Sequence, residues 1–475
     1  MLTFLVCLAA LVGAYFTYGR YLERVAAIDP ARPVPSERLY DGVDYVPMPR
    51  WRVFLIQLLN IAGTGPIFGA VLGAAFGPVA FVWITLGGIL MGAMHDFLSG
   101  VLLVRNDGLS IPEAAGRYLG NGMRQFMRLF SVLLLVLVGA VFLLSPADIL
   151  SGMIPAVPHS VWVWAILAYY FIATLLPIDK IIGRIYPLFG AALILMALCL
   201  LGVLLFGPYR IPELTTLANA QPDAHALPIV PTLFVTIACG AISGFHATQS
   251  PLMARCIRNE RECRPVFYGA MISESIIALI WAAIAMSFFG GARALAEALA
   301  ANGNSAAWAV NLISNTTLGI AGGILALLGV VAAPITSGDT AFRSARLIVA
   351  DIFRIEQRTV WKRFVIAVPL FAAGFLIARS DFTVVWRYFA WTNQTLAAIV
   401  LWTVVVWLAS HRRNYRVALP PALFMTFVCA SFVFVSGQFA GMENRPAAYA
   451  LAGAATATVY LIILSKLRRH DRRDA

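Results

Sequence analysis

The stretch QLLNIAGTGPIFGAVLGAAFG (57–77) is apolar enough to lie in a bilayer, yet Gly63, Thr64, Gly65 and Pro66 interrupt it near its middle. Proline removes a backbone donor and glycine weakens a helix, so the spacing predicts a helix that breaks inside hydrocarbon. A second stretch, TIACGAISGFHATQSPLM (236–253), repeats the signal with Gly240, Gly244, His246 and Pro251. One interrupted helix says little, because glycine and proline are common in membrane helices. A pair in corresponding places is the sequence mark of a site held between broken helices near the midplane.

Working outward, 60% of the 475 residues are hydrophobic and 12% are charged, against roughly 25% charged in a soluble domain. So apolar a chain needs lipid around it. Spans of about 20 apolar residues fall at 2–18, 52–75, 78–104, 124–145, 160–176, 185–206, 230–250, 266–289, 318–337, 363–378, 384–409, 417–436 and 447–465. The fold class is therefore all-α integral membrane with about thirteen transmembrane helices, spans 1, 5 and 10 being the shortest. Span 2 opens a run of five and span 7 opens the next, entering from the opposite side. This is a five-plus-five inverted repeat whose first helix is discontinuous in each half. The expected organisation is 1–51, a helix and a cytoplasmic loop; 52–206, the first repeat; 207–229, an external loop; 230–409, the second repeat; and 410–475, two further helices and a basic tail.

The formal charge of +12 invites a nucleic-acid reading, but its placement argues against one. With the N-terminus outside, only Arg210, Arg293, Arg379, Arg387 and Arg445 of the 35 basic residues fall in external segments, leaving 30 inside. That is the positive-inside pattern of an inner (plasma) membrane protein with a cytoplasmic C-terminus. The tail Lys466, Arg468, Arg469, Arg472, Arg473 reads as a topology anchor with some attraction to anionic lipid. The first span has no basic n-region or small-residue cleavage site and reads as a retained helix. Loop 19–51 is expected to pack as an ordered cytoplasmic loop. The external pieces ARALAEALAANG and SAAWAVNLISN are expected to form short helices. Cys7, Cys199, Cys239 and Cys429 lie in spans, and Cys256 and Cys263 in a cytoplasmic loop. Their linear spacing completes no four-ligand metal site, so unpaired thiols are expected.

Charges inside a bilayer cost several kcal/mol and need partners, water or a neutral form. Asp96 and Glu274 lie about eight residues from the cytoplasmic ends of spans 3 and 8, and His246 about five from that of span 7. At 1.5 Å per residue all sit roughly 7–12 Å deep, a depth shared with the Gly63–Pro66 break. One polar cavity is expected there, with Gly63, Thr64, Gly65, Ser243, Gly244 and His246 as substrate-binding residues. Asp96 and Glu274 are candidates for proton coupling, since burial favours a neutral carboxyl. Asp148, near the outer end of span 4, reads as interfacial. Thr336, Ser337, Asp339 and Thr340 follow Pro334 at the end of span 9. The hydroxyls of Thr336, Ser337 and Thr340 suit either a sodium ion or helix capping. In WRYFAWTNQTLAA (386–398), Trp386, Tyr388 and Trp391 fit an outer aromatic belt, and Asn393 and Gln394 lie deeper, where hydrogen bonds to neighbouring helices are expected.

At these residues the chain resembles the carbon starvation protein A family. The likeness is carried by YGRYLE (18–23), DGVDYVP (41–47), the run 51–77, GAMHDF (92–97), RNDGLSIPE (105–113), ACGAISGFHA (238–247), YGAMISES (268–275), TSGDTAFRSAR (336–346) and 386–398. The resemblance implies the amino acid–polyamine–organocation transporter superfamily and hence the five-plus-five fold reached above. It implies import of peptides or pyruvate when carbon is scarce, driven by an ion gradient. Its GxGP element falls on Gly63–Pro66, its SGFH element on Ser243–His246, and its intramembrane acids on Asp96 and Glu274. Two departures stand out. ATQSPLMAR follows SGFH where long members carry a Ser/Thr-rich stretch and a Lys, and the chain lacks the additional C-terminal helices of long members. The expectation is a symporter for a small molecule, with a proton or sodium ion as coupling ion and no other cofactor, no nucleic-acid partner and no enzymatic activity. HExxH, GxSxG and a Walker phosphate loop are absent from the sequence. A channel and a transporter-like nutrient sensor are the competing readings, and the oligomeric state is not legible.

Overall fold

The computed structural model describes the chain apart from residues 43, 176–177, 358 and 472–475, and apart from the side chains of 174–175, 178–185, 320–323, 326 and 469–471. The basic-tail residues Arg472 and Arg473 thus lie outside the described residues. Everything described is helix or loop, without a strand. Nine helices are long and apolar enough to cross a membrane: Leu2–Ala26, Val79–Val104, Asn121–Met153, Tyr186–Phe206, Glu260–Phe288, Val360–Ala378, Phe382–Ser410, Tyr415–Val435 and Arg445–Arg468. Arg50–Ile61 and Gly65–Ala74 form one more as a pair bent by 55°. The protein is a multi-pass membrane protein.

Three of the thirteen expected spans depart from that pattern for visible reasons. Span 5 is the 17-residue helix His159–Leu175, short for a crossing. Span 7 is split into short pieces. Span 9 lies inside a run of three abutting helices, Ala306–Leu325, Ala326–Val331 and Ala332–Phe353, with a kink where Gly319 takes φ +57°. The external helix Ala292–Ala301 forms as expected, whereas SAAWAVNLISN is no separate piece but the start of Ala306–Leu325.

Asn121–Met153, with 33 residues, would be about 50 Å long, well beyond the hydrocarbon thickness. Gly139 lets a neighbour in close: a Cβ there would stand 2.3 Å from the Phe342 ring, which is how small residues bring membrane helices together.

Loop 19–51 is ordered, and one carboxylate fixes it. Glu260, fully buried, accepts from Arg105 Nε at 2.7 Å and Nη2 at 2.9 Å, from Arg32 Nη1 at 3.0 Å and from the Asp29 amide at 2.7 Å. Arg105 Nη2 also donates to the Ala27 carbonyl. Farther along, Tyr45 donates to the Asp107 carbonyl at 2.9 Å, and the Met48 amide to the Cys256 carbonyl at 3.0 Å. The loop therefore straps the end of Val79–Val104 to the segment between spans 7 and 8. Cys256 lies under this strap, 5% exposed, and burial pushes its thiol up to about 12. Since the thiolate is the reactive species, Cys256 is expected to resist maleimide in the folded protein near neutral pH and to label once it is denatured. Mass spectrometry of the labelled peptide checks this.

Candidate functional site

The two breaks meet. Arg50–Ile61 stops at Ala62, and regular structure resumes as a wide-turn helix at Gly65. In the second, Phe234–Thr236 gives way at Ile237, Gly240 takes φ +91°, and Gly244–Ala254 starts after an extended Ser243. A Cβ on Gly65 would lie 2.4 Å from Cys239 Cβ and Sγ, and one on Gly69 would lie 2.9 Å from the Thr236 carbonyl oxygen. Glycine is required at both positions because backbone passes backbone there.

Broken helices leave orphan amides and carbonyls, and one stretch of Phe382–Ser410 answers those of the second break. Asn393 Oδ1 accepts from the Phe245 amide at 2.7 Å and Asn393 Nδ2 donates to Ser243 Oγ at 3.0 Å. Gln394 Nε2 donates to the Phe234 carbonyl at 2.8 Å. The expected helix-to-helix hydrogen bonds of Asn393 and Gln394 are thus caps on the two ends of the interruption. Gly244 makes this possible, because a Cβ there would stand 2.5 Å from the Asn393 carbonyl and the Ala397 amide.

Asp96, His246 and Glu274 come together as their shared depth predicts, all fully buried. Asp96 Oδ2 meets His246 Nδ1 at 2.8 Å, and Asp96 Oδ1 meets Nδ1 of His95 at 2.7 Å. His95, also fully buried, is a member that sequence reasoning missed; its only signal was adjacency to Asp96. An ionised carboxylate only accepts, so each ring donates from Nδ1 and, when neutral, keeps its lone pair on Nε2. His246 Nε2 lies 3.2 Å from Glu274 Oε2, off the line of a hydrogen bond. A proton placed in that gap would close a chain His95–Asp96–His246–Glu274 across three helices. The chain borders the breaks: Gly92, one turn before Asp96, packs so closely on the second break that a Cβ would stand 2.2 Å from the Ala241 carbonyl.

The remaining candidates are placed as follows. Thr64 Oγ1 lies 3.4 Å from Ser145 Oγ, and a Cβ on Gly63 would stand 2.7 Å from the Phe142 ring. Thr336, Ser337 and Thr340 sit within the continuous helix Ala332–Phe353 rather than at a helix start. Their hydroxyls donate to the carbonyls of Ala333, Leu59 and Ser337 at 2.8, 3.0 and 3.0 Å. Asp339 accepts instead from Tyr186 at 3.0 Å and faces Arg343 at 3.8 Å. Asp148 pairs with His159 at 2.9 Å, and both are partly exposed.

A cavity of about 400 Å³ opens beside both breaks, lined by Leu72 and Phe76 of span 2, Thr232 and Thr236 of span 7, and Trp386 and Arg387 of span 11. None of the six expected substrate-binding residues lines it. Trp386 was expected in an outer belt. It is 6% exposed and packed against Phe68 and Phe389, because span 11 begins beneath the bent pair. Its indole nitrogen has no hydrogen-bond partner among the described residues.

With this geometry in hand, likeness to known proteins can be weighed. The sequence model of the carbon starvation protein CstA matches residues 1–161 and 150–329, more than half of the chain. The chain belongs to the CstA family. An uncharacterized membrane protein of Haemophilus influenzae is 42% identical over 351 residues, covering 63% of this chain and 95% of its own. The peptide transporter CstA of Escherichia coli K12 is 27% identical over 338 residues, and its pyruvate/proton symporter BtsT 26% over 330; each alignment covers 56% of this chain. The chain spans about half the length of these two relatives, 47% and 46%. Among solved structures, the Eremococcus coleocola manganese transporter superposes with a TM-score of 0.54 at 10% identity, over 91% of this chain and 99% of its own. MhsT in complex with L-phenylalanine superposes with a TM-score of 0.55 at 14% identity, over 88% and 99%. At such identities the likeness is one of fold. This CstA-family chain is a membrane transporter built on a fold it shares with unrelated carriers.

Proposed function

We propose that the protein is a secondary active transporter of the inner (plasma) membrane that imports a small carboxylate-bearing nutrient, pyruvate or a short peptide, by proton symport under carbon starvation. It does so with thirteen spans in a five-plus-five inverted repeat, the N-terminus outside and the C-terminus cytoplasmic. The observation that carries the reading is the buried chain His95–Asp96–His246–Glu274, which lacks one proton and sits where two broken helices cross. Substrate enters through the 400 Å³ cavity, where Arg387 supplies positive charge and the free indole N–H of Trp386 supplies a donor. A proton in the His246–Glu274 gap neutralises the carboxylate and ties Gly244–Ala254 to Gly269–Phe288. Its loss frees the half-helix to move, which couples proton to substrate. The names of the two E. coli relatives support both substrate classes, and one of them names the proton. Sodium coupling would instead use Thr336, Ser337 and Thr340, whose hydroxyls are each committed to a carbonyl.

Purified protein in liposomes is expected to accumulate labelled pyruvate or dipeptide when the interior is alkaline. A one-unit pH gradient is worth about 1.4 kcal/mol per proton, or about tenfold accumulation. Accumulation that follows a sodium gradient and ignores pH would move the coupling site to span 9. Equilibration that responds to neither gradient would leave a channel or a sensor.

A further inference from the structure

The chain of four side chains leaves an unused donor set beside it. Cys239, His246 and Glu274 each direct one ligand atom into the same small volume, with all three atoms within 4.8 Å of one another. His246 and Glu274 are fully buried and Cys239 is 2% exposed. Neither His246 Nε2 nor either Glu274 oxygen makes a well-formed hydrogen bond among the described residues. Cys239 Sγ has only loose contacts, 3.6 Å to Ser243 Oγ and 3.7 Å to Asn393 Nδ2. Buried polar atoms are seldom left in this state.

We infer that Cys239, His246 and Glu274 form a binding site for a divalent transition-metal ion of the zinc or cobalt class. Three observations converge on it. A thiolate with an imidazole and a carboxylate is a borderline-soft set that suits zinc or cobalt and does not suit magnesium or calcium. His246 is oriented as metal-bound histidines are, with Nδ1 on a carboxylate, Asp96 at 2.8 Å, and Nε2 bare. Finally, three ligands around a metal at 2.0–2.3 Å stand roughly 3.3–3.8 Å apart in a tetrahedron. The His246–Glu274 pair is already at 3.2 Å, so only the Cys239 sulfur has to close in. That sulfur lies on the interruption of span 7, where the backbone is not held by a helical ladder.

Linear spacing hid the site. Cys239 and His246 are seven apart, which on a straight helix would be two turns; the break at Gly240–Ser243 folds the sulfur back beside the ring. The ion reaches the site only when the half-helices part. The site shares His246 and Glu274 with the proposed proton chain, and its test measures no transport, so either reading can fail without the other.

The test titrates cobalt(II) into purified, reduced protein in detergent. A near-ultraviolet thiolate-to-cobalt charge-transfer band is expected with one equivalent. Cys239→Ser is expected to abolish that band, and Asp96→Asn to weaken binding about 10- to 100-fold by releasing the imidazole. X-ray absorption of the zinc-loaded wild type needs no variant to fold, and its first shell must contain one sulfur among nitrogen or oxygen neighbours. Absence of a band, a band that survives Cys239→Ser in folded protein, or a shell with no sulfur or several would overturn the site.

Discussion

Glu274→Gln is expected to abolish accumulation of substrate against its gradient while leaving exchange of internal for external substrate in place. Glutamine keeps the size and the hydrogen-bonding shape of glutamic acid but never carries a charge and never gives up a proton. The gap between His246 Nε2 and Glu274 Oε2, 3.2 Å in this structure, is then spanned by an amide N–H at every pH. On the proposed mechanism the variant is held in the proton-loaded form. It can bind substrate and cross the membrane loaded, which is all that exchange requires, but it cannot return after releasing a proton. In liposomes with an imposed one-unit gradient, the wild type is expected to approach about tenfold accumulation per proton and Glu274→Gln to stay at an internal-to-external ratio of about one. Counterflow of labelled substrate separates this from simple damage. Loss of both activities in a folded variant would make Glu274 a structural residue, and retention of gradient-driven uptake would remove it from coupling altogether.

What the sequence disclosed about this site, and what it withheld, follows from one physical distinction. Depth can be read along a helix at 1.5 Å per residue, so Asp96, His246 and Glu274 could be placed on one level. Breaks can be read from Gly63–Pro66 and from Gly240 and Gly244, because backbone chemistry is local. Azimuth cannot be read where every face of a helix is apolar. Nothing in GAMHDF distinguished His95 as a partner of Asp96 from a residue turned elsewhere. Likewise TNQT announced two buried amides but not that both serve the same interruption. Cys239 was passed over because metal spacing was judged along an unbroken chain. The less secure spans have the same origin. Composition finds an apolar run such as 160–176, but whether 17 helical residues cross or merely dip depends on neighbours the run does not name. The expected thiols and the strapped loop held because they rest on polarity alone.

Glu260→Ala is expected to destabilise the protein by about 3 kcal/mol and to release loop 19–51. Glu260 is fully buried, and its carboxylate is the common acceptor for Arg105, Arg32 and the Asp29 amide. Removing one partner of a buried ion pair costs about 3–5 kcal/mol, because the other charge is left in a poor solvent. The lower end applies, since the Arg105 side chain is 16% exposed and keeps its bond to the Ala27 carbonyl. Arg32 is 40% exposed, so Arg32→Ala is expected to cost under about 1 kcal/mol, as exposed pairs do. Denaturant or thermal unfolding of detergent-purified variants gives the energies, and trypsin reports on the loop. Arg32, Arg38 and Arg50 lie along the strap, and cleavage there is expected to be fast in Glu260→Ala and slow in the wild type and in Arg32→Ala. Equal losses in the two variants would mean that the strap is held by its length of packed chain rather than by the carboxylate. That outcome would also weaken the idea that this side of the molecule opens and closes as one piece. A strap tied at a single buried charge can let go in one step, whereas one held by many small contacts along 19–51 would have to peel.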